Sequence, residues 1–390
     1  MSFLKTERAT LARFFPALDA ELAARPFLEL ERADGPSLGI GLFRAAGGPS
    51  LLVPEALGGR GATPLDAVRI HRALGSRSPS LAVAATMHNF SLATLVEFHV
   101  FGGDEACAAL LGAVAEQHLL MASGFAEGRP GANILAATME ARPTPDGGYV
   151  IRGSKKPCSL SRSMHLLSAS ALLIDGSGGP GRRAVVLVPA DAPGIERRPF
   201  WRSSVLTAAE SDEVVLHDVP IPGDLLFLPG AEDHLDPVEL AGYLWFQLLI
   251  AASYLGMASG LVERVLAAGK GGATERALLG TELEAAMAAL ENVARVTQEA
   301  IDAQEAQQQA GEVRERLLAQ ALFVRYAVQG AIERATTLAA ELLGGMAFIG
   351  SPEVVYLLGA SRALAFHPPS RLSSAPALAG YLADEPLLAV

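Results

Sequence analysis

The stretch PDGGYVIRGSKKPCSL, residues 145–160, decides how the chain is read. Its Asp146-Gly147 step stands between two apolar runs, and an Asp-Gly pair so placed is a strong signal for a β-hairpin. Working outward, the period of two holds from about residue 118 to about residue 222. LLMASGF opens this zone at 119–125 and ATMEAR at 137–142 precedes the turn. LLSASALLI (166–174), AVVLV (184–188) and EVVLHDV (213–219) supply further strands. On either side the period becomes helical. TLARFF at 10–15, DAVRIHRAL at 66–74 and the run around 104–116 carry apolar residues at helical spacing, as do Leu283, Met287, Leu290 and Val293 in one later segment and Leu317, Leu318, Ala321, Tyr326 and Ile332 in another. Helices, then strands, then helices predict segregated units rather than an alternating α/β fold. The expected organisation is a helical domain over residues 1–117, a β domain over 118–235 and a helical bundle over 236–390.

Composition agrees. Half of the 390 residues are hydrophobic and only 6% are aromatic, which suits large buried helices. The net charge of −11 is spread along the chain and the basic residues form no stripe, so nucleic-acid binding is not expected. Cys107 and Cys158 are too few for a disulfide scaffold and lack zinc spacing, and the eight histidines are scattered. No metal site is expected, and a reducing, cytoplasmic setting is the simple reading. The N-terminal MSFLKTERATLARFF mixes charged with apolar residues, unlike a signal peptide.

One segment has the length of a membrane span. LAGYLWFQLLIAASYLGMASGLV, residues 240–262, is free of charge. Gln247, Ser253 and Ser259 interrupt it and acidic residues flank it, so a helix buried on all faces is the expectation.

Two nucleotide motifs fail on context. Gly176, Gly178 and Gly181 spell G-x-G-x-x-G, but Pro180 sits within and a strand pattern follows where a dinucleotide site requires a helix. AGKGG around Lys270 lacks P-loop spacing. Ser123-Gly124 is not framed as a nucleophile elbow.

Several segments, in order, resemble acyl-CoA dehydrogenases. VPEALGGRG at 53–61 is similar to that superfamily's VPEEYGGxG loop, and SGFAEGRPGAN at 123–133 resembles its flavin-contacting LTEPxAGSD stretch. GYVIRGSKKPCSL at 148–160 resembles GYxLNGxKxWITN, and VVLHDVPIP at 214–222 the strand leading into the last helices. RALLG at 276–280 resembles RxxFG, and ELLGGMAFI at 341–349 resembles QxLGGxGY. The resemblance implies a mainly α fold with a central β domain: an N-terminal helical domain, a middle β-barrel or sandwich and a C-terminal four-helix bundle. It also implies FAD, a homodimer or homotetramer, and an acyl-CoA or acyl-carrier-protein thioester as substrate. On this footing backbone groups of Phe125, Ala126 and Glu127 and the Cys158–Ser159 turn meet the flavin, with the Ser159 hydroxyl near its N5. Arg276 meets its phosphates, and Glu341, Gly344 and Gly345 approach it from a neighbouring subunit.

The departures concern chemistry. A dehydrogenase needs a carboxylate to take the α-proton of its thioester. Where many members carry that glutamate this chain reads AFHPPSR, residues 365–371, with Pro368 at about the position. The alternative position in the first helix of the bundle falls on Phe246, with Glu239 about two turns earlier. His367 is the best remaining base, ahead of Tyr356 and Ser370. Ala132 and Asn133 replace a serine and an aspartate of the pattern, and Pro157 replaces the tryptophan beside the flavin. The leading expectation is FAD-dependent α,β-oxidation of an acyl thioester, and the replacements at Ala132, Asn133 and Pro157 point to one bound to a carrier protein, as in secondary metabolism. The alternatives are a flavin monooxygenase on the same scaffold, which needs no carboxylate base, and a degenerate binding protein.

Overall fold

The computed structural model of the protein describes residues 3–100, 105–128, 137–174, 181–228, 237–303 and 307–387. Among the described residues seven α-helices come first: α1 (Lys5–Phe14), α2 (Pro16–Ala24), α3 (Phe27–Leu30), α4 (Leu38–Ala45), α5 (Pro64–Arg77), α6 (Pro79–Val100) and α7 (Glu105–Gln117). Eight strands follow: β1 (Met121–Gly124), β2 (Glu140–Pro143), β3 (Tyr149–Cys158), β4 (Leu166–Leu173), β5 (Arg182–Pro189), β6 (Ile195–Arg198), β7 (Asp212–Ile221) and β8 (Leu226–Phe227). The chain then runs through α8 (Pro237–Ala267), α9 (Ala273–Asp302), α10 (Gln307–Gly350), α11 (Pro352–Ser361) and α12 (Arg371–Tyr381). The protein is mostly helical, with a central mixed sheet.

The strands pair in the order β6-β7-β3-β2-β4-β5-β8, with β1 joined to β4. Parallel pairing of β1 and β2 with β4 makes the sheet mixed; its other pairs are antiparallel. The Asp146-Gly147 turn closes the β2–β3 hairpin with Pro143 opposite Tyr149, and Gly147 supplies the positive φ of 87° that the turn needs. Gly181 leads into β5, which pairs antiparallel with β4, so a strand and not a helix follows the glycine motif. Gly176 and Gly178 lie outside the described residues.

Helix α8 is the core of the fold. It packs against α5, α6, α10 and α11, and its charge-free stretch is buried throughout. Close approach is permitted by glycine: a Cβ added at Gly75 would lie 2.1 Å from the Ser253 carbonyl oxygen, and one at Gly256 would lie 2.2 Å from that of Arg72. The three polar residues that interrupt α8 have buried partners. Ser253 bonds His71 Nδ1 at 3.0 Å, Ser259 accepts from Arg72 Nε, and Gln247 accepts from Arg325. A buried polar group so paired avoids most of its desolvation penalty.

Candidate active site

The C-terminal end of β1 is held beside that of β3. The Lys156 N–H donates to the Ala126 carbonyl at 2.8 Å, and Glu127 bridges Lys156 in parallel register. Beneath them Lys155 is fully buried and donates to Glu127 Oε1 at 2.7 Å and to Ser170 Oγ at 2.9 Å. Glu127 also accepts from the Thr138 N–H and hydroxyl. Burial opposes its charge, but bonds from Lys155 and Thr138 prevail and hold its carboxyl at about 2. The Glu127 side chain is thus a structural anchor at the end of β1, beside the Ala126 carbonyl that the Lys156 N–H holds.

From Phe125 a line of rings runs across the molecule. Its centroid lies 6.0 Å from Phe90 of α6, Phe90 lies 5.2 Å from Phe246 of α8, and Phe246 lies 6.3 Å from His367. The His367 ring is 5.3 Å from Tyr254, whose hydroxyl bonds its Nε2 at 2.8 Å. Phe125, Phe246 and His367, far apart in sequence, therefore meet in one seam with Phe90 at its centre. Phe246, one of the two positions to which the resemblance assigns a dehydrogenase glutamate, lies in this seam; Pro368, at about the other, follows His367 and its carbonyl accepts from Arg325. Burial, with the nearby Arg325 charge, lowers the His367 imidazole to about 3, so the ring is neutral at physiological pH.

The other expected residues are distributed more widely. Ser159 is buried next to the β1–β3 junction, and its hydroxyl bonds that of Ser211 at 2.9 Å. Cys158 is fully buried and its thiol is pushed up to about 12 by burial, so only its main chain is available to a ligand. Arg276 is exposed and folds back to cap the end of α8, donating to the carbonyls of Gly269 and Lys270. Glu341 lines an open groove of about 420 Å³ with Glu333, Arg334, Thr337, Leu338 and Arg362. Gly344 interrupts α10 with φ 78°, and Gly345 beyond it is exposed. The structure does not bring these last four to the seam of the same chain. Tyr356 bonds the buried Glu31, Ser370 caps α12 and Glu239 pairs with Arg183, so none of the three is placed in the seam. Ala132 and Asn133 lie outside the described residues. Among the described residues no group of three or more potential ligands could hold a metal ion.

Sequence reasoning missed four residues. Phe90 carried no signal beyond its helical phase. In the sequence Tyr254 is only part of an apolar helix and Gln247 only a polar interruption of it. Arg325 is buried, donating to Gln247 Oε1 at 2.6 Å and to the carbonyls of Leu364, His367 and Pro368.

No protein-family model matches the chain. It is 46% identical over 391 residues to isobutylamine N-hydroxylase of Streptomyces viridifaciens, covering 99% of this chain and all of that relative. Among solved structures it resembles KijD3 in complex with FMN and a dTDP-linked amino-keto sugar, with a TM-score of 0.84, 21% identity and coverage of 97% of this chain and 94% of the other. It also resembles nitrososynthase of Micromonospora carbonacea var. africana, with a TM-score of 0.80, 24% identity and coverage of 98% and 97%. These findings correct the expectation of acyl-thioester oxidation: the full-length relative is an N-hydroxylase and a fold neighbour is a nitrososynthase, which side with the oxygenating alternative. With that identity along its whole length, the chain belongs to the family of isobutylamine N-hydroxylase, on the acyl-CoA dehydrogenase-like fold.

Proposed function

We propose that the protein is a flavin-dependent monooxygenase that N-hydroxylates a small primary amine. The observation that carries this reading is the seam itself, in which Phe246 packs against a His367 ring that is held neutral and bonded to the Tyr254 hydroxyl; the resemblance assigns the dehydrogenase glutamate to Phe246 or to about Pro368, and neither is a carboxylate. Oxygen transfer to nitrogen requires no abstraction from carbon, so the loss of a carboxylate is no defect. The identity to an N-hydroxylase supports the amine as substrate class.

The donor set fits a flavin. Rings of Phe125, Phe90 and Phe246 offer apolar faces to a flat heterocycle. In the Ser159–Ser211 pair one hydroxyl donates to the other, which leaves the acceptor's own proton free for a ligand edge. The Phe125–Ala126 backbone, held at the Ala126 carbonyl by the Lys156 N–H, supplies further polar groups. A flavin held there supplies reducing equivalents and the activation of dioxygen. The complex of KijD3 with FMN favours the mononucleotide over the FAD expected from the resemblance to dehydrogenases.

His367 then serves as an uncharged hydrogen-bonding group. If the Tyr254 hydroxyl donates to Nε2, the ring proton sits on Nδ1 and could be donated to an oxygen or nitrogen of the substrate. Phe90 and Phe246 exclude water from that side.

We propose also that the chain forms a homodimer or homotetramer. Met346 and Ile349 at the end of α10, with Phe366 and Leu372, are 78–85% exposed, an apolar group that a second copy would cover. In such an assembly Arg276, Glu341, Gly344 and Gly345 would meet the flavin of a neighbouring subunit.

The test is incubation of purified protein with isobutylamine, dioxygen, a flavin reductase and reduced nicotinamide, with mass spectrometry for the hydroxylamine. Formation of N-hydroxyisobutylamine, with one oxygen atom from O₂, is expected. Bleaching of bound flavin by acyl thioesters, with no amine oxidation, would refute the reading. Heat release and chromatography of the bound flavin separate FMN from FAD.

A further inference from the structure

Among the described residues Arg325 is a buried cation without a buried anion. Its side chain is fully inaccessible, and among the described residues its bonds go to the Gln247 amide and to the main-chain carbonyls of Leu364, His367 and Pro368. The charged and titratable groups that face it are Tyr243 and Tyr254 from α8, Tyr326 from α10, and His367. Burial raises all three tyrosines above their ordinary range, so none is anionic at neutral pH. The guanidinium stays protonated under any such burial, and its charge reaches the seam through His367, whose carbonyl accepts from it at 2.5 Å.

Gln247 sharpens the point. Arg325 NH1 can only donate, so the amide atom 2.6 Å away is Oε1, and the amide orientation is fixed. The Gln247 Nε2 and the Arg325 Nε are then both buried without a partner. A glutamate at 247 would remove the orphaned Nε2 and neutralise the guanidinium in the same shape. The chain instead keeps a neutral amide, two unsatisfied donors and a net positive charge.

We propose that Arg325 is an electrostatic positioning residue, fixing the His367–Pro368 main chain and barring positive charge from the adjoining seam, so that an amine is taken up there as the uncharged base. The inference rests on the N-hydroxylation reading and deepens it. Free alkylamines are ammonium ions at neutral pH, with a pKa near the roughly 10.4 of lysine. An ammonium has no lone pair with which to accept oxygen. A neighbouring cation in a desolvated site favours the neutral amine, as it does for activated lysines. The balance is simple: the ammonium N–H bond breaks on entry, its proton passes to solvent, and the nitrogen keeps the electron pair.

The test is calorimetric titration of the flavin-loaded protein with isobutylamine near pH 7, in two buffers of different ionisation enthalpy, with isobutanol as the neutral control. The wild type is expected to release close to one proton per amine bound and none with isobutanol. Gln247→Glu, which supplies the missing counter-ion without changing shape, is expected to cut the release to less than half. It should also move the acid limb of the kcat profile up by about one pH unit. Arg325→Lys should retain the release and Arg325→Met should lose it. Amine binding without proton release in the wild type, unchanged release in Gln247→Glu, or no isobutylamine binding at all would each overturn the proposal. Hydroxylation with no proton release sinks only this inference, whereas proton release with no hydroxylation sinks only the proposed reaction.

Discussion

Glu127→Gln is the substitution whose effect the structure defines most closely. The carboxylate accepts from Lys155 Nζ at 2.7 Å, the Thr138 N–H at 2.8 Å and the Thr138 hydroxyl at 2.7 Å, and its side chain is 5% exposed. Holding a carboxyl at about 2 instead of its ordinary 4.5 is worth roughly 3 kcal/mol of folding free energy at neutral pH. The folded-state value is depressed, so this contribution is full above about pH 4.5 and is lost as the pH falls towards 2. The amide removes it and leaves the buried Lys155 ammonium without this anion, which places the total loss at about 3–5 kcal/mol. Urea titration of both proteins at pH 7 measures it directly. Between pH 4.5 and pH 3 the gap between the two should narrow, because only the wild type has a proton to gain there. Adding Lys155→Met to Glu127→Gln should restore at least about 1 kcal/mol, since the buried ammonium that faced this carboxylate goes too. A loss below about 1 kcal/mol at pH 7, or a gap that does not close on acidification, would refute the assignment of Glu127 as an anchor of the β1 end.

Three further outcomes are expected. Ser159→Ala, with Ser211→Ala as its companion, should weaken flavin binding by about 1 kcal/mol, or five- to tenfold, with little change in thermal stability; fluorescence titration of the apoprotein reads it, and unchanged affinity in both variants would remove the pair from the site. Tyr356→Phe takes a donor from Glu31 and an acceptor from the Leu206 N–H, at a cost of about 1.5–3 kcal/mol. Burial raises the Glu31 carboxyl, so its ionised form is disfavoured in the fold and its contribution falls as pH rises; calorimetry should find the deficit larger at pH 8 than at pH 5. Met346→Asp with Ile349→Asp should shift the protein to monomer in sedimentation velocity, and an unchanged oligomer would show that this surface is not the interface.

Elements set by local pattern were legible, and those set by tertiary context were not. The Asp146-Gly147 hairpin, β4, β5, β7 and the apolar face of α9 follow from periodicity and turn chemistry within a few residues. Strand β6 did not, because IERR shows no apolar alternation and lies exposed at the sheet edge. Arg325 could not be seen for the same reason in reverse. An arginine one turn from apolar residues on a helix reads as solvated, and it is the Gln247 amide oxygen on α8 and the carbonyls of Leu364, His367 and Pro368, some 40 residues away, that make its burial tolerable. The Tyr254–His367 bond spans 113 positions and leaves no trace in spacing.

The error in the reaction has a more specific origin. The segments that resemble dehydrogenases are those that shape the fold and its flavin crevice, and these stay alike whichever atom is oxidised. What distinguishes carbon from nitrogen oxidation is the charge permitted at the far wall. A dehydrogenase requires an anion there to take a proton from carbon; an N-hydroxylase requires that its amine hold no extra proton. On the proposed reading Phe246, Pro368 and a neutral His367 stand where that anion is expected, and Arg325 with an amide at Gln247 would reverse the sign of the local field. The first half of that change was visible as a missing glutamate. The second half is carried by residues whose partners lie on other elements, and it turns the lost base from a defect into a requirement of the proposed chemistry.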